Sequence, residues 1–114
     1  MIKRFVVLRR KPGMSVTDFR KYWKIIHGPL IAKIPGLLKY TQYHVHSPPG
    51  TAHPIDGIAE LWFKSEADQK KAYSTPEYRA VVEDEPNLFQ MDIEHIHPVM
   101  TDDIVEVLSA KGLE

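Results

Sequence analysis

Six histidines, five tyrosines and no cysteine set the chemistry open to this chain of 114 residues. Without thiols there is no disulfide, thiolate metal site or cysteine nucleophile, which leaves imidazole, phenol and carboxylate as the groups to weigh. His27 is the most informative of them. It lies eight residues after Phe19 and four after Trp23, on the apolar stripe of a helix, and immediately before Gly28-Pro29. Burial lowers a histidine's pKa and a carboxylate neighbour raises it, so such a ring can be poised as an acid or base near neutrality. The same spacing also describes a core histidine donating to a backbone carbonyl, and spacing alone does not separate the two.

Tyr40 falls on a strand beside Leu38, Gln42 and His44. A buried tyrosine needs a partner for its hydroxyl, either the backbone or a ligand oxygen that it orients or protonates. Glu60 interrupts the apolar run Ile58–Phe63, where alternation sets it with Ile58 and Trp62 and away from Ala59, Leu61 and Phe63. It reaches solvent or a dimer salt bridge, holds an imidazole in place, or has a raised pKa. His53 stands in a proline-rich loop, placed either to reach a pocket mouth or to remain an idle surface imidazole. Trp23, Tyr22, Trp62, Phe63 and Phe89 read as core and pocket wall.

Two His-x-His pairs, His44/His46 and His95/His97, each project from one side of a strand, a spacing that suits paired imidazole ligands. The two strands are opposite edges of the expected sheet, so a shared metal would need a dimer to bring them together. No metal or cofactor is expected in the pocket itself. There is no Gly-rich phosphate loop, no Gly-x-Ser-x-Gly elbow and no dinucleotide fingerprint.

Several elements must position these residues. Ile2 to Leu8 reads as a buried strand, and Ser15 as the N-cap of a helix carrying Phe19, Tyr22, Trp23 and Ile26 on its apolar face. Gly28-Pro29 should interrupt that helix, with a further short turn to Ile34. A second strand is expected over residues 37–46, a long loop over 47–56 and a third strand over 57–63. Ser65 and Thr75-Pro76 cap two more helical segments. A fourth strand is expected to begin near Phe89 and stop before Pro98. The order β-α-β-β-α-β predicts an α+β, ferredoxin-like domain with a four-stranded antiparallel sheet and its helices on one face. The bare face then needs a cover, most economically a second copy in a homodimeric α+β barrel.

Fifteen basic and fifteen acidic residues cancel, which argues against nucleic acid as a partner. The apolar N-terminal run is too short for a signal or membrane segment, so no membrane association and a cytoplasmic address are the expectation.

The segment Phe19–Leu30, with its Tyr-Trp-x-x-x-His-Gly-Pro stretch, resembles the EthD family of dimeric α+β barrel proteins. Pro35-Gly36-Leu37 leading to Tyr40, Asp56–Phe63 and Ser74–Tyr78 are similar too. The resemblance implies an EthD-like domain over 1–100, with 101–114 a C-terminal extension that is a short helix or an arm reaching the partner. It implies a homodimer with a small-molecule pocket between helices and sheet. Related barrels include cofactor-free monooxygenases, polyketide cyclases, dehydratases and a methylmuconolactone methylisomerase. In the last, a histidine, a tyrosine and a loop histidine surround the ligand, and His27, Tyr40 and His53 fall at the matching places. A cysteine near that pocket has no counterpart here. The function these likenesses imply is a cofactor-independent isomerase, cyclase or dehydratase acting on a small oxygenated ring, lactone or quinone-like compound. A non-catalytic ligand-binding or accessory dimer and a cofactor-free monooxygenase are the alternatives.

Overall fold

The computed structural model describes residues 1–50, 53–92, 97–101, 105–108 and 110. Strand β1 (Ile2–Leu8) leads through the Pro12-Gly13 turn to Ser15, whose hydroxyl accepts from the Asp18 amide at 3.1 Å and so caps α1 (Val16–Tyr22). The helix does not break at Gly28-Pro29 as expected. It passes through a π turn (Trp23–His27) and continues as α2 (Gly28–Ala32). A proline cannot donate, and its ring crowds the carbonyl four residues back. The wider turn, with the Gly28 amide donating to the Trp23 carbonyl five residues earlier, accommodates Pro29 without a break. It also rotates the apolar stripe. Phe19, Trp23 and His27 stay buried, while Ile26, expected on the inner face, is 48% exposed.

Strands β2 (Leu37–His44) and β3 (Gly57–Phe63) follow, joined by the long loop. Then α3 (Glu66–Ala72) and α4 (Pro76–Asp84) are capped by Ser65 and Thr75, and a 3₁₀ turn (Glu85–Asn87) contains Pro86. Strand β4 (His97–Thr101) lies later than expected. Phe89 makes only a single bridge to Arg10, and β4 runs through Pro98 instead of stopping before it. Its edge position explains this, since an edge strand tolerates a residue that cannot donate.

The sheet order is β2-β3-β1-β4, antiparallel throughout, with one helical crossover between β1 and β2 and one between β3 and β4, as the ferredoxin-like arrangement requires. The register opposes Val6 to Ala59 and Arg4 to Leu61, and alternation turns these four toward the helices. There they meet Phe19, Trp23, Ile31, Ile34, Val81 and Phe89 in one core. The other face carries Phe5, Val7, Ile58, Trp62, Tyr43 and Val99, with no helix over it among the described residues. Tyr43 and Val99 are about half exposed. Val105, Val107 and Leu108 are exposed more fully still. Most of the rest of the C-terminal extension falls outside the described residues. Among the described residues no helix is long and apolar enough to cross a membrane.

Candidate active site

The π turn brings His27 to the inner end of the first helical layer, where the ring is 1% exposed. Its Nδ1 lies 2.8 Å from Oδ2 of Asp84, at the end of α4. Asp84 Oδ1 accepts from the Tyr22 hydroxyl at 2.6 Å and from the Asn87 side-chain amide at 3.0 Å. Burial works against a charge on Asp84, but these hydrogen bonds outweigh it and hold the carboxyl below its usual range. With Asp84 ionised, Nδ1 carries the proton, and Nε2 keeps its lone pair. Burial lowers the pKa of His27 and outweighs the opposing pull of Asp84, so the ring is neutral at neutral pH. A neutral ring offers Asp84 an N–H and no charge, so three neutral donors stabilise that carboxylate.

His27 lines a cavity of about 70 Å³ between helices and sheet. Phe89 meets the imidazole edge-on at 5.3 Å. Val6, Leu8, Ala59 and Leu61 form the floor, and Ile31, Ile34 and Val81 the helical side. The Trp23 indole forms another wall, packed at 4.7 Å from His44 and 5.5 Å from Phe19. Gly57 makes room for it, since a Cβ there would lie 2.6 Å from the six-membered ring of Trp23. Arg4, Tyr78 and Glu85 supply the remaining polar lining. Among the described residues no hydrogen bond engages His27 Nε2, and the Trp23 indole N–H is the one buried side-chain nitrogen or oxygen without a partner.

Of the residues singled out in the sequence, His27, Trp23 and Phe89 line this cavity. Tyr40 sits behind it on β2, its hydroxyl accepting from Gln42 Nε2 at 2.8 Å. Gln42 also donates to the Trp23 carbonyl at 2.9 Å. Burial pushes the Tyr40 phenol up to about 12. The strand comes this close to the helix because Gly28 has no Cβ, which would lie 3.0 Å from the Gln42 amide. His53 is exposed on its loop, its Nδ1 accepting from the Ile55 amide at 3.3 Å. Phe63 is fully buried and packs edge-on against Tyr73. Glu60 and Trp62 lie across the sheet from His27. There Glu60 accepts from the Tyr43 hydroxyl at 2.6 Å and from the Trp62 indole, with the Lys3 ammonium 3.9 Å away. The hydrogen bonds, Tyr43's foremost, hold its carboxyl below the usual range despite burial. The carboxylate that orients the imidazole is therefore Asp84.

Asp84, Glu85 and Arg4 were not singled out from the sequence. Glu83-Asp84-Glu85 reads as a solvated acidic run, yet Asp84 is three residues and Glu85 four residues after the core residue Val81. Helical spacing carried the signal. His44 shares a hydrogen bond with Gln42 Oε1 at 2.9 Å. The His95/His97 half of the possible metal site lies outside the described residues and side chains, and among those described no cluster of three or more His, Asp or Glu side chains could hold a metal ion.

Fold and site together define a ferredoxin-like α+β domain with a histidine–aspartate pair at a largely apolar cavity. The EthD domain is matched over residues 11–92, and the chain belongs to the EthD family. Among solved structures, the chain is similar to an ethyl tert-butyl ether D (EthD) family protein from Bacillus halodurans, with 18% identity and a TM-score of 0.71 over 91% of this chain and 100% of that one. A dimeric protein with a ferredoxin-like fold from Bacteroides fragilis matches at 16% identity and a TM-score of 0.65, over 90% and 95% of the two chains. SnoaB, a cofactor-independent oxygenase from Streptomyces nogalater, matches at 11% identity and a TM-score of 0.63, over 95% and 98%. At these identities the likeness is one of fold. No curated protein sequence matches the chain.

Proposed function

We propose that this protein is a cofactor-independent acid/base catalyst that moves a proton on a small oxygenated ring, lactone or quinone-like compound. The observation that carries the reading is the buried His27 ring, fixed by Asp84 at the wall of a cavity. His27 Nε2 would take a proton from a carbon next to a carbonyl. The C–H electron pair then becomes a C–C double bond, and the carbonyl electrons move onto oxygen. Return of the proton at another atom completes an isomerisation. Delivery of the proton to a hydroxyl on the next carbon releases water, as the enolate electrons re-form the carbonyl, a C–C double bond forms and the C–O bond breaks. Attack of the enolate carbon on a second carbonyl, whose oxygen takes the proton, closes a ring. Apolar walls exclude water and strengthen each polar contact inside. The cavity is about half the roughly 150 Å³ that admits benzene, so a ring-sized ligand enters by displacing side chains. Tyr40 supports the site from behind by holding Gln42, and His53 would approach only if its loop folds inward. Trp23 is the wall residue of this reading, and Phe63, at the other end of β3 from the Gly57–Trp23 contact, belongs to the core.

Incubation with candidate lactones and cyclic ketones in D₂O tests the reading directly. Deuterium should enter the ligand with the native protein and at least about 10²-fold more slowly with His27→Gln. A ligand that binds but never exchanges would replace catalysis with the non-catalytic binding reading. The likeness to SnoaB favours one further possibility, reaction of the deprotonated ligand with oxygen, which an oxygen electrode would register.

We also propose a homodimer joined through the open sheet faces. Glu60 and Trp62 then belong to the subunit interface.

A further inference from the structure

Arg4 is the one charged residue on the floor of the cavity that the proton-transfer scheme leaves unused. Strand alternation turns its side chain inward from β1, opposite Leu61. The guanidinium donates to the Tyr73 hydroxyl at 2.6 Å and lies over that ring, 5.2 Å from its centre. Tyr73 stacks at 4.3 Å on Tyr78, itself a cavity residue, and its oxygen also accepts from Gln69 at 3.1 Å. The phenols hold the guanidinium in place and bring no negative charge. Among the described residues Arg4 forms no ion pair. Glu85 shares the cavity beyond ion-pair distance of Arg4; burial, the largest influence, raises its pKa, and the charge of Arg4 pulls it down. A guanidinium offers five donors in a fixed fork that suits a planar two-oxygen group, and a buried donor left unmade is costly.

We propose that Arg4 is the anion anchor of the cavity, receiving a carboxylate of the ligand, so that the substrate is a small organic acid. This inference rests on the cavity being the ligand site, and not on His27 acting as a base. It narrows the substrate class to oxygenated compounds that carry a negative group beyond the reacting carbonyl. Arg4 would both select for that group and fix which carbon stands before the imidazole.

Propionate and propionamide, matched in size and differing in charge, test this by NMR titration of the full chain. Propionate should perturb the Arg4 side-chain resonances and bind roughly tenfold or more tightly than propionamide, as expected of a charge-assisted pair. Arg4→Gln should abolish the preference, and Arg4→Lys should keep part of it. The lysine variant guards against simple misfolding, because it retains the charge but not the fork. Equal affinity for the two probes, no binding of propionate at 100 mM scale (about a hundredfold above a millimolar Kd), or a preference that survives Arg4→Gln would each overturn the proposal. His27→Gln separates the two readings, since it should stop proton exchange while leaving the preference for propionate intact.

Discussion

Asp84 reaches across 57 residues of sequence to hold the Nδ1 of His27, and the character of the ring depends on that reach. Asp84→Asn keeps an acceptor of similar shape but removes the charge that stabilises an imidazolium. Proton exchange should fall by about 10²-fold or more, with the melting temperature little changed, and ligand binding should persist. Stability should also report the ring. The folded imidazole binds its proton less readily than the unfolded one, whose ordinary value is 6.5. As pH falls through that value, the unfolded chain takes up a proton that the folded chain refuses. Unfolding therefore gains as pH falls, so stability rises with pH from the lowered folded value up to about 6.5 and levels off above it. His44, lowered by burial and then by Arg20 and Lys24, acts with the same sign. Urea midpoints between pH 5 and 7, a span of about two units around the histidine value, should slope less in His27→Gln than in the native chain. An unchanged slope would mean that this ring is not the group responsible.

Among the elements, the helix through the π turn shows what local sequence reveals and what it hides. Ser15, Ser65 and Thr75 act as caps where their spacing predicted them, because capping is settled by three or four adjacent residues. His27 could be placed on a buried stripe for the same reason. Gly28-Pro29 misleads, because whether a proline breaks a helix depends on the turn before it, and that turn is fixed by packing of Trp23 and His27 against the sheet. Pro98 misleads similarly, since its tolerance depends on β4 being an edge, a property of the assembled sheet. Helical spacing from Val81 could place Asp84 on an inward face, but its pairing with His27, like that of Arg4 with Tyr73, joins residues distant in the chain and is not legible locally. Gly57 links β3 to the helix. Gly57→Ala would drive a methyl group against the Trp23 indole and should cost about 1–3 kcal/mol, the usual penalty of overpacking. Urea unfolding measures it, and a neutral result would show that the indole can move aside.

At the scale of the molecule, the sheet divides two environments. The α+β topology was legible from element order alone, because antiparallel pairing and right-handed crossovers leave few arrangements. The assignment of Trp62 to a pocket wall was less secure, since its face follows from register. On the open face, Phe5, Val7, Ile58 and Trp62 form an apolar surface around the Glu60–Tyr43 hydrogen bond. Val7→Glu should convert a dimer into a monomer in sedimentation velocity while far-ultraviolet circular dichroism stays native. A native chain that already sediments as a monomer at micromolar concentration would remove the proposed pairing. The cavity and that open surface lie on opposite sides of one sheet, a single strand layer thick. Two chains joined back to back would thus carry chambers that point outward and share no wall. Such a pair would saturate hyperbolically at one molecule per chain, each half turning over without news of the other.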